Sequence, residues 1–243
     1  MPVVITGADS PIGALVVDAL VGSGLDLRAT VDDRGAVTPL VARGVKTAVS
    51  DLVDTERFGA VLEGAHTVIH LRGDGVAEQL SGIADVLAAA PDSGLRRIVA
   101  LAGLAGRHDE HPGLRELESS EYDTVVLEVG VVLAPLADPR AELPSYADPN
   151  QLVAPLWVGD LVEALVAADR LRDLHGHIRV PAVGRDVVTA GELLSQLGGT
   201  PGPTQPAHGA QDLVGDAGQS LLEVLGVRPR SLAETVRAAL AGL

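Results

Sequence analysis

The chain has 243 residues, enough for one α/β domain with a sizeable core and a small second lobe. Apolar residues make up 47% of it and aromatics 2%, which excludes a disordered chain and leaves Val, Leu, Ile and Ala to build the interior. A formal charge of −15, with Lys46 the sole lysine, argues against nucleic acid and anionic membrane as partners, and zero cysteine excludes disulfides, thiolate catalysis and cysteine metal sites.

Pro2–Thr6 is an apolar run and predicts a first strand. The turn Thr6-Gly7-Ala8-Asp9-Ser10-Pro11-Ile12-Gly13 follows it and opens a helix over Ile12–Ser23 that Gly24 ends. Gly7 permits a sharp turn, Gly13 permits close packing of the helix on the sheet, and the helix N-terminus can seat a pyrophosphate. A second strand over Leu27–Val31 runs into Asp32 and Asp33. A carboxylate there accepts hydrogen bonds from the adenosine ribose hydroxyls and repels a 2′-phosphate, which favours NAD over NADP even with Arg34 nearby. A helix is expected over Ala36–Arg43, a strand over Lys46–Val49, a helix near Thr55–Leu62 and a strand over Thr67–Leu71. Then come a long helix over Val76–Ala90, a strand over Arg97–Leu101 and a sixth strand over Thr124–Val132. This alternation predicts βαβ crossovers and a parallel sheet, a Rossmann-type doubly wound α/β fold.

After residue 133 the rhythm breaks at Pro135, Pro139, Pro144, Pro149 and Pro155. Helices are expected over Gly159–Ala168, Ala190–Gln196 and Ser231–Leu240, with a loose Gly/Pro-rich stretch over Leu197–Gly218. The expected organisation is a core over 1–133 and a small C-terminal cap lobe over 134–243, interleaved with the last core elements and packed over the sheet's carboxyl edge. No apolar stretch reaches the roughly 20 residues that span a bilayer, and no basic leader pattern opens the chain, so a cytoplasmic protein is expected.

The glycine-rich turn resembles the TGxxGxxG fingerprint of extended and atypical short-chain dehydrogenases, the group of NAD-dependent epimerase/dehydratase-like and NmrA-like proteins. Asp51-Leu52 after strand three, Gly64–Leu71 in strand four, Trp157-Val158-Gly159-Asp160-Leu161 and Val188–Leu193 resemble further segments of that group. The resemblance implies an NAD(P)-binding oxidoreductase-like protein. It implies that Gly7, Asp9, Ser10, Pro11, Ile12 and Gly13 hold the dinucleotide with Asp32, that Asp51 and Leu52 flank the adenine, and that Leu71 lies under the central phosphates. A homodimer through the helices flanking strands four and five is common among such proteins. Ser10 replaces the family's middle glycine, a small side chain that can itself donate a hydrogen bond. Arg72 stands where relatives carry a small residue, placed either to reach the pyrophosphate or to fill the vacant site.

The catalytic set of the family does not appear. Ala102-Gly103-Leu104-Ala105-Gly106 offers no hydroxyl after strand five, Lys46 lies at strand three, and neither Tyr122 nor Tyr146 has a lysine four residues on. Glu128 and Val129 replace an Arg-Pro pair. His108 and His111, in the polar run Arg107–His111, are the remaining candidates for acid/base work, beside the plainer reading of a solvated loop. A metal site on that loop is not expected. Three functions stay open: an atypical oxidoreductase or epimerase acting on an unidentified small molecule, a non-catalytic dinucleotide-sensing regulator or scaffold with a protein partner, and a degenerate fold that binds no nucleotide.

Overall fold

The apolar runs become strands because both of their faces are covered. The computed structural model describes residues 2–72, 80, 82–104, 112–135, 148–171, 173, 175–198 and 221–241. The central elements are β1 (Val3–Thr6), α1 (Pro11–Leu20), β2 (Leu27–Val31), α2 (Val37–Ala42), β3 (Lys46–Val49), α3 (Thr55–Leu62) and β4 (Thr67–His70). They continue as α4 (Ile83–Ala89), β5 (Arg97–Gly103), α5 (Pro112–Ser119) and β6 (Asp123–Val129). Then follow β7 (Val132–Leu133), β8 (Leu152–Val153), β9 (Leu156–Trp157), α6 (Val158–Arg170), β10 (His177–Ala182), β11 (Val188–Thr189), α7 (Ala190–Gln196), α8 (Leu221–Leu225) and α9 (Leu232–Leu240).

Seven strands make one sheet in the order β10-β6-β5-β4-β1-β2-β3, a Rossmann-type α/β fold flanked by helices. β1 pairs in parallel with β2 and β4, β2 with β3, and β4 with β5. Asp123 N–H donates to Arg96 at one end of β5 and Leu104 N–H to Val129 at the other, so β6 runs the same way.

By Cα proximity the chain divides into two compact units. The first draws on Met1–Ala102, Arg107–Leu127 and Leu165–Arg179, the second on Gly103–Gly106, Glu128–Ala164 and Val180–Leu243. In the first, Val4, Val68, Ile98 and Ala100 share an apolar cluster with Phe58 and Leu62 of α3, Ile83 and Val86 of α4, and Leu114 and Leu117 of α5. Their strand neighbours Ile5, Ile69, Val99 and Leu101 are equally buried and by the two-residue alternation face the other way. In the second, Leu133, Val153, Leu193 and Leu197 pack with Val236 and Ala239.

Several element edges differ from the sequence reading, each for a local reason. The first helix starts at Pro11 because Ser10 is its N-cap. A turn of 3-10 helix over Arg34–Ala36, capped by Asp33, precedes α2. The sixth strand stops at Val129: the Val131 carbonyl accepts from Leu156 N–H, and Val132–Leu133 leaves to pair with β9. The long helix expected from Val76 is described as α4 from Ile83, its residues 76–79 and 81 lying outside the described residues, as does most of Leu197–Gly218.

Candidate functional site

The strand order reverses between β1 and β4, and ligands of open α/β sheets bind outside the carboxyl ends of the strands at such a reversal. Two loops meet there. Thr6 and His70, partners across β1 and β4, share a 2.8 Å hydrogen bond between Oγ1 and Nδ1, and Leu71 N–H donates to the Thr6 carbonyl at 3.2 Å. Directly above them Gly7 has φ +65°, and a Cβ on it would lie 2.6 Å from the Leu71 carbonyl oxygen. A Cβ on Gly13 would lie 2.1 Å from the Gly7 carbonyl oxygen. Both positions therefore exclude a side chain, and the turn lies tight on the end of β4.

Ser10 is absorbed by that turn. Its Oγ accepts from Gly13 N–H at 3.0 Å and lies 3.4 Å from the Leu71 carbonyl, to which it can donate. Pro11 occupies the first helical position and has no N–H, so Ile12 supplies the first-turn donor that neither the proline nor the cap removes. Asp9 has a role that turn chemistry alone does not suggest. One of its carboxylate oxygens accepts from the N–H groups of both Asp32 and Asp33, each at 2.9 Å, and so fixes the end of β2 to the glycine-rich turn.

Asp32 is met by Arg72. The guanidinium lies across both carboxylate oxygens, Nε to Oδ2 and Nη2 to Oδ1 at 3.2 Å each, and Nη1 donates to the Asp51 carbonyl. Asp32, Asp51 and Arg72 border a cavity of about 600 Å³ with Val49, Asp54 and Arg57. Next to Asp51, Leu52 is fully buried with φ +69°, a left-handed backbone that costs a leucine of order 1–3 kcal/mol and marks a place where neighbours over-determine the chain. Its N–H donates to Ser50 Oγ at 3.1 Å. Leu71 is also fully buried, its carbonyl turned to the Gly7–Ser10 turn.

No side chain of the Ser/Tyr/Lys kind is assembled at the carboxyl ends of the described strands. β5 ends in Ala102 and Gly103, followed by Leu104. Lys46 opens β3 at its amino end and pairs with Asp26 at 2.8 Å, and that hydrogen bond holds the Asp26 carboxyl below the usual range. Tyr122 precedes β6 and packs against the cluster of α3, α4 and α5, where burial pushes its phenol up. His66, at the amino end of β4, is held down by burial. His108, His111 and Tyr146 lie outside the described residues. The Trp157–Leu161 segment is structural within the second unit. Asp160 is buried, accepts from Arg230 N–H at 2.8 Å and faces its guanidinium at 3.4 Å, while Arg230 stacks 5.5 Å over the Trp157 ring. Burial pushes the Asp160 carboxyl up.

Residues 7–127 match the model of a family described as NAD(P)H-binding. Over 95% of its length the chain is 28% identical to sterol demethylase protein B of Methylococcus capsulatus, covering 76% of that protein. It resembles the structure of a UDP-glucuronic acid 4-epimerase from Bacillus cereus in complex with UDP-glucuronic acid and NAD, at TM-score 0.73 and 15% identity, covering 100% of this chain and 98% of that one. It also resembles Gre2 from Candida albicans in complex with NADPH, at TM-score 0.68 and 14% identity with the same coverage. At such identities the two structural likenesses speak for the fold.

Proposed function

The chain belongs to the NAD(P)H-binding family through residues 7–127, and from that premise we propose that it holds a nicotinamide dinucleotide at the β1–β4 reversal without the family's Tyr–Lys proton chemistry. One observation carries the reading: a turn from which two side chains are excluded by backbone at 2.6 and 2.1 Å, set at the reversal beside a carboxylate and an open cavity. The residues present fit the adenosine and pyrophosphate half of the ligand. Ile12 N–H and the α1 terminus would receive a phosphate oxygen, and Asp32 the ribose hydroxyls. Asp51 and Leu52 would flank the adenine, and Leu71 would underlie the phosphates. Such a dinucleotide supplies a hydride acceptor or donor when bound. In the two solved structures of similar fold, the dinucleotides bound are NAD and NADPH. Asp32 is the group through which this site would recognise the NAD pair.

The test is titration calorimetry with NAD, NADH, NADP and NADPH, beside an Asp32→Ala variant, and a melting-temperature shift that grows with the logarithm of ligand concentration. Micromolar binding that Asp32→Ala weakens for the NAD pair supports the reading. No binding of any of the four would sink it.

A second reading has its own support. With Ala102-Gly103-Leu104 where a hydroxyl is needed and Lys46 at the opposite ends of the strands, a sensor that distinguishes NADH from NAD+ and reports to another protein fits the described residues as well as an oxidoreductase does. Incubating the protein with 4-deuterated NADH and a panel of carbonyl compounds separates the two. Label transfer identifies an enzyme, whereas unequal affinity for the two redox forms without transfer identifies a sensor.

A further inference from the structure

We propose that Arg72 is a specificity-determining residue for the dinucleotide: by forking across Asp32 it cancels the charge that would reject a 2′-phosphate, and the site accepts NADP(H) alongside NAD(H). The proposal rests on the dinucleotide reading of the site and extends it to ligand choice.

A lone carboxylate after β2 discriminates in two ways, by accepting from the ribose hydroxyls and by repelling a phosphate on the 2′-oxygen. The second effect needs a net negative charge. Here the two Asp32 oxygens lie 3.2 Å from Nε and Nη2 of Arg72, so an approaching phosphate meets a neutral pair in place of a lone anion. The first effect survives, because each carboxylate oxygen keeps a further lone pair for a hydroxyl. NAD recognition is thereby retained while rejection of NADP is lost.

The placement of Arg72 is set by the fold. Its backbone lies just past β4, where Arg72 N is one of the atoms that a Gly7 Cβ would strike, at 2.9 Å. Its third nitrogen is tied to the Asp51 carbonyl at the end of β3. Arg72 thus spans β4 to the β2–β3 edge and lines the cavity that the adenosine half would enter. Arg57 lines the same cavity and has no ion-pair partner among the described residues, a second guanidinium within it. Asp33, the other acid at the end of β2, is turned away from this role: its carboxylate accepts from Gly35 N–H at 2.8 Å.

The experiment is calorimetric titration of NAD and NADP into the wild-type protein, Arg72→Ala, Arg72→Gln and Asp32→Asn, with melting curves to establish that each variant is folded. The expected wild-type affinities for NAD and NADP lie within about tenfold of each other. Arg72→Ala and Arg72→Gln, which strip the counter-charge from Asp32, are expected to raise the NAD:NADP affinity ratio by about tenfold or more, NADP binding falling further than NAD binding. Asp32→Asn, which leaves the guanidinium alone, is expected to move the ratio the other way. A ratio in both arginine variants within twofold of wild type would overturn the role of Arg72 while leaving the dinucleotide reading intact. Binding seen only after Arg72 is removed would also overturn it, since the guanidinium would then be a competitor. Failure of all four proteins to bind either ligand would overturn both readings together.

Discussion

Gly7 meets two separate constraints, a left-handed backbone at φ +65° and carbonyl and amide atoms of residues 71 and 72 within 2.9 Å of where a Cβ would stand. Gly22 meets only the first, with φ +82° and nothing within 4 Å. Gly22→Ala should therefore cost about 1 kcal/mol, the price of the backbone conformation alone. Gly7→Ala should cost roughly 2–3 kcal/mol and abolish dinucleotide binding, because the turn must lift away from β4. Urea denaturation of the pair separates the two constraints, and equal losses would show that the close approach to Leu71 is dispensable. The tight turn at Gly7 and Gly13 was legible in the sequence because turn chemistry is local: a strand, a glycine and a helix start sit within ten residues. The Asp9 bonds to the Asp32 and Asp33 amides and the Arg72 fork were not, since they join residues 23 to 40 positions apart that meet only through the strand order. The sequence marked Arg72 as unusual after β4 but directed it to the pyrophosphate or the vacant site, whereas it meets the Asp32 carboxylate.

Elements in this chain are delimited by caps more than by hydrophobic periodicity. Thr189 and Ser231 each form a capping box, in which the hydroxyl accepts from the N–H of Glu192 or Glu234 and that glutamate accepts from the cap residue's N–H. Ser231→Ala should lower stability by about 1 kcal/mol, read as a shift in the urea midpoint. The glutamates add a pH dependence. The backbone N–H of Thr189 and its hydroxyl hold the Glu192 carboxyl below its ordinary 4.5, and the hydroxyl and N–H of Ser231 do the same for Glu234. A depressed folded value means that the unfolded chain takes up the proton first, so the stability these groups lend is present above pH 4.5 and is lost as the pH falls through the lower folded values. A Glu192→Gln, Glu234→Gln double variant should therefore show a shallower fall of melting temperature below that pH than the wild type, and parallel curves would refute the assignment. The α3 helix, capped by Asp54, depends on packing as well. Phe58, the one phenylalanine, is fully buried among Leu62, Ile83 and Val86, and Phe58→Ala should cost about 3–5 kcal/mol. Strand positions and the Ala190–Gln196 helix read well from sequence because alternation and a Thr-x-x-Glu cap are short-range signals. The end of β6 did not, because Val132–Leu133 is as β-prone as the strand before it, and only its pairing with β9 takes it out of the sheet.

For the whole molecule the dominant electrostatic fact is 33 acidic against 18 basic side chains. Two salt effects oppose one another. Salt weakens ion pairs such as Lys46–Asp26 and Arg72–Asp32, but these are contacts of about 3 Å between partly exposed groups, worth at most about 1 kcal/mol each and shorter than any Debye length in ordinary buffers. It also weakens the mutual repulsion of the 15 excess negative charges, which acts over tens of ångströms and is screened almost fully once the Debye length falls from about 30 Å near 10 mM to about 8 Å near 0.15 M. The long-range term should win, so the melting temperature is expected to rise across that interval in sodium chloride. Ligand binding should follow the same sign. An anionic dinucleotide approaching an acidic protein is repelled at long range, and its association rate should increase with salt, opposite to the behaviour of a protein that steers anions inward. Stopped-flow measurements of NADH fluorescence at the two salt concentrations test this. A rate that falls with salt would mean that Arg72, Arg57 and the α1 terminus dominate the field at the site over the net charge of the chain.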